Sequence, residues 1–270
     1  MKRTLPILEP WVDLERIRAR SPLVHNITNY VVMNTTANAL LAAGASPVMA
    51  HAIEEMDEMV GIAHALVLNI GTLSEHWVES MARAGRAARR RGIPIILDPV
   101  GSGATRLRTA AALRLADEAQ PTVIRGNASE IRSLVLSEKG TRGVDSTRTS
   151  EESLDVAQSL ARQFRCVVSM SGATDLIVDG ERAVRVHNGV PLMTRVTGLG
   201  CTASALTGAF AAVNPDPLQA AAHAMAVMGI AGEIASERSA GPGSLQVAFL
   251  DVLHALGEPE IRARIRADVQ

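Results

Sequence analysis

The chain predicts an α/β fold: a mostly parallel central sheet between two layers of helix. Three observations carry this. Short apolar runs alternate with longer helical segments over most of the 270 residues. The runs show no polar alternation, as expected of parallel strands covered on both faces. With 47% hydrophobic but only 2% aromatic residues, the core has to be aliphatic and rich in alanine. Such alternation builds βαβ units with right-handed crossovers.

Taken in order, Asn29–Ala43 reads as a helix ended by Gly44, with Met49 beyond it in the core. Ala65–Asn69 (ALVLN), Pro94–Asp98 (PIILD), Thr122–Arg125 (TVIR) and Cys166–Met170 (CVVSM) read as buried strands. The helices between them are Ser74–Arg91, Arg108–Glu118, Asn127–Leu136 and Ser150–Phe164. Ser74 is placed to cap the first of these, and its basic end at Arg89–Arg91 suits the negative end of a helix. Lys139–Thr149 is polar and aperiodic and reads as a loop. Asp175–Val178 and Arg182–Val186, joined through Asp179-Gly180, form a hairpin. Beyond Gly200 the pattern is almost wholly helical. No linker or repeat divides the chain, so residues 1–270 are expected to form one domain.

Composition excludes several functions. A net charge of −1 and few aromatics give no basic, base-stacking surface for nucleic acid. The N-terminal segment meets Glu9 and Asp13 before any secretory apolar run develops. The apolar run Ala220–Ile230 is too short to span a bilayer. Two cysteines, Cys166 and Cys201, make no disulfide framework and no zinc spacing. A soluble cytoplasmic protein is the expectation. No H-E-x-x-H and no G-x-S-x-G occurs. His25 is expected to make a structural hydrogen bond.

Ligands in open α/β sheets bind beyond the carboxyl ends of the strands. Four polar or Gly-rich turns follow apolar runs there: Asp98–Gly103, Gly126–Glu130, Ser171-Gly172 and Thr197–Cys201. The last leads into VTGLGCTASALTGAF, a Gly-rich turn entering an apolar helix near Cys201. Gly198 and Gly200 would let backbone N–H groups approach an anion, aided by the positive end of that helix. The same glycines would also serve close helix–sheet packing. Asn127 and Glu130 have the spacing of a capping box. Alternatively, Glu130 would hold Mg²⁺ through water, with Asp98 as a second acceptor. Arg125 would reach phosphate oxygens. The amide and hydroxyl groups from Asn26 to Asn38, with Met33 and Met49, suit either a pocket for a small heterocycle or a capped helix. At a helix N-terminus, the Cys201 thiol is expected to have a lowered pKa.

The blocks VHNITNYVVMNTTANALLAAGASPVMA, LDPVGSGATRLR, VIRGNASEI, SGATDLIVDG and VTGLGCTASALTGAF occur in one order from Ser21 to beyond Phe210. In these the chain resembles the hydroxyethylthiazole kinase family, of the ribokinase-like superfamily. That resemblance implies phosphorylation of the primary alcohol of 4-methyl-5-(2-hydroxyethyl)thiazole, with ATP as co-substrate and Mg²⁺ as cofactor, in thiamine salvage. It implies a homotrimer with sites between subunits. It places Met49, Gly198 and Asn26 with the thiazole, and Arg125, Ser171 and Asn127 with ATP. Glu130 is linked to Mg²⁺, and Cys201 stands where many superfamily members carry an aspartate base. Two departures are Leu199, where a small residue is common between the glycines, and Ser171 in place of Thr. A kinase for the pyrimidine half of thiamine, a cysteine hydrolase and a non-catalytic nucleotide-binding regulator are the competing readings.

Overall fold

The computed structural model describes residues 8–139 and 150–269. Among the described residues nine strands form one sheet. In chain order they are β1 (Leu23–Ile27), β2 (Ser46–Val48), β3 (Ala65–Asn69), β4 (Ile95–Asp98), β5 (Val123–Asn127), β6 (Val167–Ser171), β7 (Asp175–Val178), β8 (Ala183–Val186) and β9 (Ala267–Val269). Across the sheet the order is β2-β1-β3-β4-β5-β6-β7-β8-β9. The first six run parallel; β7, β8 and β9 pair antiparallel. The four buried strands read from the sequence are all present and parallel, within about two residues at their ends, and the hairpin is β7–β8.

One face is covered by α1 (Pro10–Arg20), α2 (Met33–Ala43), α8 (Leu199–Ala211), α9 (Pro217–Glu237) and α10 (Pro242–Ala255). The other carries α3 (Met56–Ile62), α4 (Glu75–Arg91), α5 (Arg106–Ala119), α6 (Ala128–Lys139) and α7 (Ser150–Phe164). A short α11 (Glu258–Arg264) precedes β9. Each face has its own aliphatic core, so the layers are three. Ser74 caps α4 by accepting the Trp77 N–H at 3.3 Å, and Gly92 ends it with φ +72°.

The differences have local causes. β1 and β2 lie within the stretch read only as pocket or helix. LVHNI buries its His and Asn, so the polar letters hid a strand. β9 is a short, half-exposed edge strand inside the segment read as helical. Of the loop expected over Lys139–Thr149, Lys139 ends α6, and the remainder lies outside the described residues. The run Ala220–Ile230 extends into a 21-residue helix, long and apolar enough to cross a membrane by length and composition. What argues against a span is packing: 94% of its apolar window is buried inside the protein.

Candidate active site

β1, β3, β4, β5 and β6 end on the same edge of the sheet, and a cleft of about 420 Å³ opens there. All four suspect turns contribute to it. Asp98, Arg125, Asn127, Glu130, Ser171, Gly198, Gly200 and Cys201 line the one cleft, though they span more than a hundred positions of sequence. Parallel strands explain this: each delivers its carboxyl end, and the turn after it, to the same edge.

The Gly-rich turn forms one wall. Gly198 adopts φ +84° and caps α8. The first helical bond runs from Thr202 N–H to Gly198 O at 2.8 Å, so the N–H groups of Leu199, Gly200 and Cys201 have no acceptor within the helix. The helix therefore starts two residues before the expected Cys201, which puts the thiol inside its first turn. A Cβ on Gly198 would lie 2.8 Å from Val32 Cγ1. Leu199 does not face the cleft; it is buried in the core, so its bulk leaves the acceptor pocket alone.

Opposite lies Arg125 on β5, 7% exposed. Its Nη1 donates to Gly200 O at 3.0 Å, and its buried Nε has no partner among the described residues. A buried guanidinium with an unused donor suits an anion. Ser171, at the end of β6, donates to Gly126 O at 3.4 Å. Asn127 and Glu130 form the capping box. Asn127 Oδ1 accepts from the Ser129 and Glu130 N–H groups, and Glu130 Oε2 accepts from Asn127 N–H at 2.8 Å. Glu130 Oε1 accepts from Gly101 N–H at 2.8 Å, which ties this junction to the turn after β4.

Asp98 is buried, and Asn69 and Ser204 both donate to its Oδ2, at 2.8 and 2.7 Å. Burial pushes its carboxyl up to about 6, with the nearby Glu130 adding to the rise against Arg125, Ser204 and Asn69. The Cys201 thiol is pushed up to about 11, first by burial and then by Asp98. The nearby amides of Asn69 and Asn29 and the charge of Arg125 act the other way and do not offset this. The thiol is thus raised rather than lowered, and removal from water is the largest cause.

Two proposed substrate residues are not in this cleft. Asn26 is buried, and its Nδ2 donates to Val24 O at 2.9 Å, inside the sheet. Asn29, beyond the end of β1, lines the cleft in its place and donates to Cys201 Sγ at 3.5 Å. Met49 follows edge strand β2, outside the lining residues. His25 Nε2 meets Ala50 O at 2.9 Å, a structural contact as expected. Sequence reasoning missed Asn69 and Ser204. Asn69 closes a strand just as Asp98 does, so the same strand-end rule would have found it.

The sequence model of the hydroxyethylthiazole kinase family matches residues 14–259. The chain belongs to the hydroxyethylthiazole kinase family. It is 61% identical over 257 residues to a hydroxyethylthiazole kinase of Syntrophus aciditrophicus (strain SB), covering 95% of each chain. A solved hydroxyethylthiazole kinase from Pyrococcus horikoshii OT3 superposes with a TM-score of 0.91 at 46% identity, covering 97% of this chain and 98% of that one. A pyridoxal kinase from Staphylococcus aureus, solved with ADP, gives a TM-score of 0.61 at 16% identity, over 78% of this chain and 87% of that one. It shares the ribokinase-like fold of the hydroxyethylthiazole kinases.

Proposed function

We propose that this chain transfers the γ-phosphoryl group of ATP to the primary alcohol of 4-methyl-5-(2-hydroxyethyl)thiazole, giving the thiazole phosphate for thiamine biosynthesis and salvage. The observation that carries the reading is the pairing of two features in one cleft. The unpaired N–H groups of the Gly198–Cys201 turn line the cleft together with the buried Arg125, and the Cys201–Asn29 contact lies in the same cleft. The first feature binds anions; the second receives a hydroxyl.

In a loose phosphoryl transfer, charge spreads over the equatorial oxygens and the alcohol proton leaves late. The N–H groups of the turn stabilise that charge without reorganising. A thiol held near 11 is protonated at neutral pH, so Cys201 orients the alcohol, whose own proton leaves late to a phosphoryl oxygen or to water. Arg125, Ser171 and Asn127 hold the nucleotide. Among the described residues no three His, Cys, Asp or Glu side chains gather into a metal cage. Two carboxylates at the cleft, Asp98 and Glu130, fit an ion that keeps most of its water and sits chiefly on phosphates, which is the habit of Mg²⁺. When bound, Mg²⁺ neutralises charge on the phosphate oxygens. The protein acts as one cytoplasmic domain with small-molecule substrates and as a homotrimer with sites between subunits, the arrangement in which Met49, outside the cleft of its own chain, would meet the thiazole.

ATP consumption that depends on the thiazole alcohol tests the reading. An equal or greater rate with hydroxymethylpyrimidine, or no consumption with either alcohol, would overturn it. Cys201→Ala is expected to keep kcat within about 10²-fold of the parent, because the anion cradle remains. Complete loss in a folded, ATP-binding variant would refute that. Cys201→Asp is expected to match or exceed the parent; a rate no better than Cys201→Ala rules out proton acceptance at this position.

A further inference from the structure

We propose that Asn69 is a positioning residue, which fixes the Asn29 amide against the Cys201 thiol and anchors both to Asp98. The inference rests on the kinase reading of the cleft and goes beyond it.

Asn69 is the last residue of β3 and is 1% exposed. Its position opposite Asp98 is set by the β3–β4 register. The Nδ2 group donates to Asp98 Oδ2 at 2.8 Å, an oxygen that also receives the Ser204 hydroxyl. With Oδ2 accepting, Asn69 can turn only its NH₂ that way. Its carbonyl oxygen must then face the other side, where it accepts from Asn29 Nδ2 at 2.9 Å and from Gly71 N–H at 3.0 Å.

This in turn fixes Asn29. Its NH₂ is directed at Asn69 and reaches Cys201 Sγ at 3.5 Å, while its Oδ1 accepts the Val31 N–H at 3.2 Å. The backbone closes the remaining side: a Cβ on Gly71 would stand 2.4 Å from Asn29 Nδ2. Asn29 therefore has one orientation, and that orientation presents a donor to sulfur. The sulfur accepts, which leaves its S–H to point elsewhere. The determination runs from Asp98 through Asn69 and Asn29 to the thiol, although Asn69 itself does not line the cleft.

A double-mutant cycle tests this. Asn69→Ala, Asn29→Ala and the double variant are compared for kcat, for KM of ATP, and for Cys201 alkylation by iodoacetamide at fixed pH, resolved from Cys166 by mass spectrometry. Asn69→Ala is expected to lower kcat by about 10- to 100-fold, the scale of a small misplacement of reacting groups. KM for ATP should stay within about threefold, because the nucleotide rests on the cradle and Arg125. If Asn69 acts through Asn29, the double variant falls no more than about threefold below the worse single one, and all three variants share one alkylation rate that differs from the parent's. Multiplicative losses in kcat would overturn the proposal, as would parental alkylation in Asn69→Ala. Where Asn69→Ala does not fold, Asn69→Ser takes its place with the same criteria. Should the parent fail to phosphorylate the alcohol, the kinase reading falls, and the alkylation cycle still decides whether Asn69 positions Cys201.

Discussion

In Gly198→Ala, kcat/KM for the alcohol falls by about 10²- to 10³-fold, the loss seen when an anion-hole donor is displaced. Two effects combine at this residue. Its φ of +84° lies in the left-handed region, where a Cβ costs about 1–2 kcal/mol. That Cβ would also come within 2.8 Å of Val32 Cγ1, closer than two carbons approach. The backbone relieves both by rotating, and the rotation carries the N–H groups of Leu199, Gly200 and Cys201 with it. The loss should therefore appear mainly in kcat, with ATP still bound through Arg125. Circular dichroism separates this from unfolding. Adding Val32→Ala removes the steric part and leaves the dihedral part, so the double variant should recover about tenfold. A Gly198→Ala enzyme with parental kcat would mean that these N–H groups do not face the reacting phosphoryl group.

How far the site was legible depended on whether a residue's role is local. Asn127 and Glu130 were readable because a capping box is a contact across three residues, and it is present with both bonds formed. The strands were readable wherever they were uniformly apolar. β1 was not, since His25 and Asn26 look like surface letters, and only burial by the packed helices shows otherwise. Asn26 and Asn29 are equally polar in sequence. The end of β1 separates them: Asn26 still lies in the strand and faces inward, while Asn29 lies beyond it in the cleft. The Cys201 thiol was misjudged for a related reason. A helix end is visible in the sequence, but the burial that raises the thiol, and after it the Asp98 carboxylate 103 positions away, come only with the folded sheet. The Asn69 link to Asp98 is likewise a product of strand register.

Asp98→Asn is expected to make the protein more stable and much less active. The carboxyl of Asp98 is raised to about 6 by burial, so the folded chain holds this proton more tightly than the unfolded one. The sign follows. Its contribution to stability is present below about pH 4 and is lost as pH rises through 6, so at neutral pH the buried carboxylate weakens the fold. A rise from 3.8 to about 6 corresponds to about 3 kcal/mol, an upper bound for the gain on removing the charge. Asparagine keeps an oxygen for Ser204 and Asn69 at nearly the same volume. Measured with chelator present, Asp98→Asn should melt several degrees above the parent at pH 8, about 5–10 °C at most, and the gap should close toward pH 4. The variant should keep some pH dependence from Asp175, whose carboxyl burial also raises to about 6. Its kcat should drop by about 10²-fold or more, because asparagine would no longer offer the negative charge proposed to help hold hydrated Mg²⁺ at the phosphates. A lower melting point at pH 8 would show that the charge stabilises the fold, and an unchanged kcat would show that the reaction does not use it. A buried carboxylate that weakens the fold at neutral pH, by at most about 3 kcal/mol, is hard to explain by packing, because its neutral isostere fills the same space. The charge is better explained by the proposed reaction, since Asp98 lines the same cleft as Arg125 and the Gly198–Cys201 turn.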